Sequence, residues 1–324
     1  MSVNLNSIYY CAHGAPVLGG QYVNFEHVYE LRNLGLRVYI LYIPVGEVER
    51  FESQIPIILY HKGMRFFDND IVVIPEASID LIRSFSSLTC RKMVHCQNPF
   101  YIFHSFPEVT AMESMGYREM ISCSGYTTSI LRKFGYHYPV WTVRPNVSPV
   151  FCESDSLKKL QIAFMPRKRE RETVFLKGLF KSLYPQFKEV QWVPIFNMSR
   201  EQCATILRES AVFASFSFTE GLGLPPLEAM ASGCIVVGFD GLGGEDYSNQ
   251  ENGFWVKEGD YFGYAHQLAQ ALKATQTPLW LEALRIESQK TVTRYSPDSF
   301  RADLKFAWLN ILGDQFDDYL LESN

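Results

Sequence analysis

The chain has 324 residues, about twice the length of a common single domain, and 47% of them are hydrophobic, which is enough for two cores. Its formal net charge of −5 excludes the basic composition of a general nucleic-acid-binding protein. The seven cysteines are scattered without a Cys-x-x-Cys spacing, which argues against a disulfide framework or zinc site and favours a reducing cytoplasm.

The first half of the chain alternates between buried strands and helices. Apolar runs predict strands at 7–12, 38–43, 70–75, 92–96 and 120–123, and a helix follows the first of them up to Gly35. Continuous apolar runs are typical of parallel strands that are covered on both faces. We therefore expect a doubly wound domain over residues 1–150.

The second half repeats this alternation after a linker, which turn-forming residues place at 145–155. Strands are predicted at 160–165, 191–195, 211–215 and 235–239, and helices at 173–183, 227–232, 262–274 and 280–295. These elements predict a second α/β domain over residues 156–299. A last amphipathic helix covers 300–312.

The strongest chemical signal lies in residues 218–237, which read FTEGLGLPPLEAMASGCIVV. Glu220 and Glu228 are separated by seven residues, and a glycine-rich loop and a helix start lie between them. Backbone N–H groups at Gly221 and Gly223 and the helix dipole together favour a phosphate group there. We expect Glu228 in the first helical turn, where it can accept hydrogen bonds from a ribose diol. Glu220 precedes the loop and can face a sugar.

This segment resembles the signature of family 4 of the retaining glycosyltransferases (group 1), which have the GT-B fold. Further segments similar to that family are 16–21 (PVLGGQ), 122–125 (SCSG), 144–147 (RPNV), 240–246 (DGLGGED) and 252–260 (NGFWVKEGD). The resemblance is most specific between 215 and 260 and weakest between 44 and 114. It implies an α/β protein in which two doubly wound Rossmann-like domains face a central cleft. The C-terminal helix, about residues 300–324, would pack back on the N-terminal, acceptor-side domain.

The resemblance also implies roles for matching residues. Glu220 would contact the hydroxyls of the donor sugar, and Glu228 would bind the ribose of the nucleotide. Gly19 and Gly20 would let the first N-terminal loop approach the β-phosphate. The backbone of the loop between the two glutamates would meet the diphosphate and the sugar: Gly221, Leu222, Gly223 and Leu224.

A basic loop, residues 164–172 (FMPRKRERE), follows the first strand of the second half. The family places an arginine and a lysine here to neutralise the diphosphate. Arg167 matches the arginine, but Glu172 occupies the position of the lysine. We expect the second charge to come from Lys168, Arg169 or Arg171, since charge-assisted contacts suit phosphate. The alternative is a solvated run of charges.

A third candidate region is residues 94–100 (VHCQNPF), at a predicted strand end, where open α/β sheets gather ligands. Relatives have a histidine nearby that contacts the donor sugar. His95 is the nearest histidine, and Gln97, Asn98 or His13 are alternatives. A core role for His95 stays open. Phe196 and Met198 lie where the family holds the nucleotide base.

No metal or other cofactor is predicted. Asp68 and Asp70 spell the D-x-D motif of metal-dependent glycosyltransferases of another fold, but they precede an apolar strand instead of ending one. We interpret them as a turn, with the helix dipole and the arginines neutralising the diphosphate. No signal peptide or transmembrane segment is predicted, and peripheral membrane contact stays open.

The resemblance implies a metal-independent retaining hexosyltransferase, with UDP-glucose taken as donor from its frequency in the family. The acceptor would be a saccharide or a lipid-linked sugar, in polysaccharide or glycoconjugate biosynthesis. Two alternatives are a catalytically inactive GT-B nucleotide-sugar-binding protein and a GT-B-fold nucleotide-sugar 2-epimerase, which would lack the EGLGLPPLE arrangement. A dinucleotide dehydrogenase is a poorer alternative than these two, because Gly19-Gly20 does not form G-x-G-x-x-G after the first strand.

Overall fold

The computed structural model describes residues 6–13, 19–43, 55–153 and 157–321. The chain divides into two compact units, Met1–Pro145 with Phe300–Asn324, and Asn146–Ser299. The first unit thus contains both ends of the sequence, and the second is a single stretch. The domain boundaries expected from the sequence were 1–150 and 156–299.

The first unit is built on a seven-stranded sheet with the order β3-β2-β1-β4-β5-β6-β7, in which every pairing is parallel. Its strands are β1 (Ile8–His13), β2 (Val38–Ile43), β3 (Ile57–Leu59), β4 (Ile71–Pro75), β5 (Arg91–Cys96), β6 (Tyr117–Ser122) and β7 (Val140–Thr142). Its helices are α1 (Gly19–Asn33), α2 (Ile79–Phe85), α3 (Ile102–Ser105), α4 (Val109–Ser114) and α5 (Gly125–Lys133).

The second unit has a five-stranded sheet with the order β12-β11-β10-β8-β9, again parallel throughout. Its strands are β8 (Lys159–Phe164), β9 (Gln191–Pro194), β10 (Ser210–Glu220), β11 (Ile235–Leu242) and β12 (Phe254–Trp255). Its helices are α6 (Glu170–Leu183), α7 (Arg200–Glu209), α8 (Leu224–Ala231), α9 (Tyr261–Ala274) and α10 (Pro278–Thr293). Helix α11 (Pro297–Leu312) follows α10, and a 3-10 helix at Gly313–Tyr319 comes directly after it.

Both sheets are covered on two faces, which explains their uninterrupted apolar strands. In β4, four consecutive residues from Ile71 are buried, and in β10 the first eight are buried. One core of the first unit joins β1, β2 and β4 to α1 and α11. The parallel α/β architecture predicted from the sequence is confirmed.

Helix α11 packs against the first unit through an apolar stripe. Phe300, Leu304 and Trp308 share a core with Ile8 of β1. Trp308 donates its indole N–H to the hydroxyl of Tyr10 at 3.2 Å. The guanidinium of Arg144 in turn donates to Asp303 at 2.7 Å, just before the chain enters the second unit.

Lys158 fixes the C-terminal ends of two helices in the second unit. Its ammonium donates to carbonyl oxygens of Leu207, Ser210 and Ser232 at 2.7–3.0 Å. Ser232 is the residue that ends α8, so the cation meets the negative end of that helix dipole. Burial lowers the pKa of Lys158, and the carbonyls replace the water that the ammonium loses.

The predicted elements are confirmed in order, but several short ones were missed. These are the edge strands β3, β7 and β12 and the helices α2 to α5 and α7. Short edge strands bury little, so they lack a strong apolar pattern, whereas α7 carried a capping box that was readable at Ser199 and Gln202. Within the described ranges, no helix is both long and apolar enough to cross a bilayer.

Candidate functional site

The carboxyl ends of β8, β10 and β11 lie side by side, because these strands are parallel neighbours. In open α/β sheets ligands bind beyond this edge. Strand β10 extends five residues past its predicted end at 215 and finishes at Glu220, so the sheet itself delivers that carboxylate to the edge. The basic loop after β8 arrives at the same place.

Lys168 and Glu220 form an ion pair at this edge. The ammonium lies 2.6 Å from Oε1 of Glu220 and also donates to the carbonyl oxygen of Phe218 at 3.2 Å. The two side chains are 27% and 24% exposed, so the pair is shielded but open to water on one side. A cation that is held loosely by one carboxylate can exchange that partner for a phosphate oxygen.

The other basic residues of the loop separate into two kinds. Arg167 and Arg171 are exposed, and Arg167 forms no hydrogen bond or ion pair within the described parts of the chain. Arg169 is buried and bound to Glu172 and Glu258. Arg169 is therefore not available to a phosphate, which leaves Lys168 or Arg171 for the second charge. Glu172, at the family's lysine position, serves as a partner of Arg169.

The backbone around Glu220 is strained. Thr219, a β-branched residue, has a φ of +44°, and Leu242, which is in register with Glu220 on β11, has a φ of +72°. Non-glycine residues with positive φ cost of the order of 1–3 kcal/mol, and such strain clusters at functional sites. The strain supports a functional role for this strand end.

The N-terminus of α8 presents backbone groups beside Glu220. Gly223 caps this helix with a φ of +84°, no side chain caps it, and the hydroxyl of Tyr247 holds the Gly223 carbonyl at 2.8 Å. Pro225 and Pro226 have no backbone N–H, so this terminus can offer an anion the N–H groups of Gly223 and Leu224 and the helix dipole. The neighbouring loop residues predicted to meet the donor lie at this turn: Gly221, Leu222 and Leu224.

Glu228 lies in the second turn of α8, not in the first turn as predicted. The helix begins at Leu224, three residues earlier than the apolar pattern suggested, because Gly223 in its left-handed conformation starts it there. The carboxylate is half-buried. It lies near Cys203 of α7, whose thiol pKa is raised by burial and further by the charge of Glu228.

Phe196 and Met198 are exposed in the loop that follows β9 at the same edge of the sheet. They are 47% and 40% exposed, so both side chains are accessible to a ligand. Asn197 between them has a φ of +52°, so the backbone turns sharply and presents both side chains outward. An exposed apolar pair of this kind can stack against a planar base.

In the first unit, the carboxyl edge joins α1 to β5. Gln97 donates its amide N–H to the carbonyl of Gly20 at 2.8 Å and to Oδ1 of Asn24 at 3.2 Å. A Cβ on Gly20 would lie 2.7 Å from Oε1 of Gln97, whereas one on Gly19 would meet nothing within 4 Å. The glycine requirement is thus steric at Gly20. Residues 14–18, which include most of the predicted loop, lie outside the described residues.

His95 is fully buried, and its Nδ1 lies 2.6 Å from Oδ1 of Asn24. Burial lowers the pKa of His95 to about 3, so it is neutral, and its ring lies 4.7 Å from that of His27. This position favours the core alternative over contact with a sugar. The side chain of His13 lies outside the described residues.

Asn98 is also buried, and its Oδ1 caps the short turn at Pro99–Tyr101 by accepting the N–H of Phe100 at 3.0 Å. Its backbone N–H and that of Gln97 donate to the carboxylate of Glu76 at 2.9 and 3.1 Å. Sequence reasoning missed Glu76, although it is the first polar residue after the apolar run of β4. Burial raises the pKa of Glu76 to about 7.

The D-x-D segment is a turn before β4, as interpreted. Asp70 accepts the backbone N–H groups of Ser7 and Phe67 at 2.9 and 2.8 Å, and Asp68 accepts the hydroxyl of Thr89. Both oxygens of Asp70 are thus engaged by the backbone. Among the described residues, no three His, Cys, Asp or Glu side chains are grouped so that they could hold a metal ion.

Comparison with known proteins gives a family and a fold. Residues 188–282 match the family model "Glycosyl transferases group 1". The chain is 32% identical over its whole length to 98% of an alpha-1,6-glucosyltransferase from Actinobacillus pleuropneumoniae serotype 7 (strain AP76).

Similar solved structures include a sucrose-phosphate synthase from Thermosynechococcus elongatus, with a TM-score of 0.71, 10% identity, and 95% of this chain and 100% of that one covered. Anabaena Alr3699/HepE in complex with UDP-glucose has a TM-score of 0.65 and 11% identity, with 94% and 99% covered. The pneumococcal O-GlcNAc transferase GtfA in complex with UDP and GlcNAc has a TM-score of 0.69 and 12% identity, with 96% and 100% covered.

At these low identities the solved structures establish the GT-B fold alone. The family rests on the full-length relative, and the segment with the two glutamates that carried the resemblance lies within the matched region. The chain belongs to the group 1 glycosyltransferases of family 4 and has the GT-B fold.

Proposed function

We propose that this glycosyltransferase is a retaining hexosyltransferase that moves glucose from UDP-glucose to a saccharide or lipid-linked acceptor. The full-length relative named as an alpha-1,6-glucosyltransferase supports glucose as the sugar. The geometry that carries the proposal is the Lys168–Glu220 pair beside the uncapped N-terminus of α8. A role in polysaccharide or glycoconjugate biosynthesis is part of the same proposal.

In this proposal the second unit binds the donor. Arg167, Lys168, the N–H groups of Gly223 and Leu224 and the dipole of α8 neutralise the diphosphate, Glu228 binds the ribose, and Phe196 and Met198 contact the base. Lys168 leaves Glu220 when the diphosphate arrives, which frees that carboxylate for the sugar hydroxyls. No side chain is assigned as a base, and the departing diphosphate would take the proton of the acceptor.

The proposal includes metal independence. A nucleoside diphosphate carries its negative charge to a site that already offers two cations and a helix N-terminus. The test is donor hydrolysis with excess chelator, which should leave the rate unchanged. Loss of activity that manganese restores would contradict it.

The donor is tested by hydrolysis of a panel of nucleotide sugars without acceptor, followed by transfer to glucosides and to lipid-linked sugars. UDP-glucose should be turned over fastest, and the product should keep the α configuration of the donor by NMR. A β product would overturn retention, and a faster reaction with UDP-galactose, UDP-GlcNAc or GDP-mannose would overturn the choice of donor.

The two alternatives give different results in the same assays. An inactive binding protein would bind UDP but release no sugar with any donor or acceptor. A 2-epimerase would convert UDP-GlcNAc to its 2-epimer without needing an acceptor. The presence of both glutamates, with Glu220 held at the strand end by Lys168, favours the transferase.

A further inference from the structure

Arg169 is the most enclosed charge at the edge of the second sheet. It is the residue that precedes α6, and its side chain is only 2% exposed. The guanidinium lies between two aromatic rings, 4.5 Å from the centroid of Phe218 and 4.7 Å from that of Phe239. Planar guanidinium groups stack on aromatic faces in this way, and burial strengthens the attraction.

Two carboxylates complete the surroundings of Arg169. Glu258, in the loop before α9, accepts from both terminal nitrogens, and Glu172, one turn along α6, accepts from one of them. The hydroxyl of Tyr261 also donates to Glu172 at 2.8 Å. One buried cation therefore joins four segments of the unit, and Phe218 lies two residues before Glu220.

The conformation of Thr219 requires such a fixed neighbour. Its φ of +44° is strained for a β-branched residue, and it connects Phe218 directly to Glu220. Strained backbone persists only where the surroundings hold it in place. On one side the pairing of Glu220 with Leu242 does so, and on the other side Phe218 is held against Arg169.

We propose that Arg169 is a positioning residue that fixes Phe218 and the strained Thr219, and thereby sets the carboxylate of Glu220 for the donor sugar. Arg169 itself contacts no substrate. Glu172, one turn along α6, helps to hold Arg169 by accepting a hydrogen bond from it. This proposal rests on the proposed function, because it assigns Glu220 to the sugar.

The experiment compares four variants of the full chain. Arg169→Lys keeps the charge but loses the stacking and the paired hydrogen bonds. Glu258→Gln and Glu172→Gln each keep Arg169 and weaken one of its ion pairs. Arg285→Met is the control, because it removes an ion pair with Glu153 elsewhere in the same unit, at 3.5 Å.

Three quantities are measured: kcat and KM for UDP-glucose, UDP affinity by calorimetry, and hydrogen exchange of the amides at 218–220. In Arg169→Lys, kcat should fall about tenfold or more, since small misplacements at a reacting centre are costly. UDP affinity should change by less than about threefold, because UDP lacks the hexose that Glu220 would contact. The amides should exchange faster. Glu258→Gln should give a smaller loss of kcat, and Arg285→Met should match the wild type.

Equal kcat and equal amide protection in Arg169→Lys and Arg285→Met would overturn the proposal, as would an equal loss of UDP affinity and kcat. If Arg169→Lys fails to fold, Glu258→Gln and Glu172→Gln decide by the same criteria. Hydrogen exchange needs no ligand, so it tests the hold on the strand end even if the wild type hydrolyses no nucleotide sugar. A wild type that hydrolyses no nucleotide sugar would overturn the proposed function and not the positioning of the strand end.

Discussion

The polar side chains at the carboxyl edges of the two sheets are bonded in different ways. In the first unit, the half-buried Gln97 donates to Glu76, Gly20 and Asn24 at 2.8–3.2 Å, and the buried, neutral His95 bonds Asn24 at 2.6 Å. In the second unit, Lys168 and Glu220 form a partly exposed ion pair beside strained backbone. The polar groups of the first edge bond mainly one another and the backbone, although Nε2 of His95 is buried without a partner, whereas the second edge has charges that can exchange theirs.

This difference fits the proposed function, in which the second edge binds the donor and the first edge contributes to local stability. The hydrogen bonds of the first edge tie β5 to α1, because Gln97 donates to the carbonyl of Gly20 in the first turn of that helix. Half-exposed charges and an uncapped helix end are suited to binding an anion. Substitutions at the second edge should therefore affect binding and turnover, and those at the first edge should affect local stability.

The largest effect is expected at the two glutamates of the second edge. Glu220→Gln should lower kcat about a hundredfold and leave UDP affinity nearly unchanged, because its partner is present only in the donor. Glu228→Gln should weaken binding of UDP and UDP-glucose alike, because both carry ribose. Calorimetry with UDP and steady-state kinetics with UDP-glucose on both variants measure the difference. Equal loss of UDP affinity in the two would show that the sugar is misplaced relative to the loop.

The next effect should appear at the first edge as a pH dependence of stability. The pKa of Glu76 is raised by burial from 4.5 to about 7, so the folded unit binds more protons than the unfolded chain between these values. Its stability should fall as pH rises through that window, by about 3 kcal/mol at 1.4 kcal/mol per unit of pKa. Hydrogen exchange in β4 and β5, corrected for its intrinsic pH dependence, measures this local stability.

The Glu76→Gln variant has no titrating group at this position, so the stability of its first unit should no longer fall between pH 4.5 and about 7. Glu108→Gln is the matched control, because it removes an exposed carboxylate of the same unit and should keep the wild-type slope. A Glu76→Gln variant with the wild-type slope would remove Glu76 from the explanation.

Much of the fold and part of this contrast could be predicted from the sequence. The apolar strands and the EGLGLPPLE segment are local patterns, and the resemblance that they carry assigned Glu220 and the basic loop to the donor. The pairing of Arg169 with Glu258, 89 residues apart, could not be predicted, because it depends on where the loop before α9 lies. The positive φ of Thr219 could not be predicted from the sequence either, because threonine does not favour that conformation.

A third effect should separate the cations of the second edge. Arg167→Ala should cost about 1.5–3 kcal/mol of UDP affinity, the range for a hydrogen bond to a charged group. Lys168→Met should cost less, because Lys168 gives up its bond to Glu220 when it binds the diphosphate. Titration calorimetry at fixed salt measures both, with Lys188→Ala as an exposed charge control in the same unit. Unchanged affinity in Arg167→Ala would contradict its assignment.

The smallest effect should come from two adjacent glycines at the start of α1. Replacing either by alanine removes backbone freedom, which stabilises a helix by up to about 1 kcal/mol. Gly19→Ala should show this gain, because its Cβ would meet nothing within 4 Å. Gly20→Ala should not gain this stability, because its Cβ would lie 2.7 Å from Oε1 of Gln97. Moving Gln97 breaks a hydrogen bond to the Gly20 carbonyl worth about 1 kcal/mol.

The difference between these two variants isolates the contact of Gln97 with α1. Thermal unfolding should place Gly19→Ala above the wild type and Gly20→Ala at or just below it. Equal unfolding temperatures for the two variants would show that Gln97 gives way freely. The first edge would then be as adaptable as the second, and the contrast between the two would not hold.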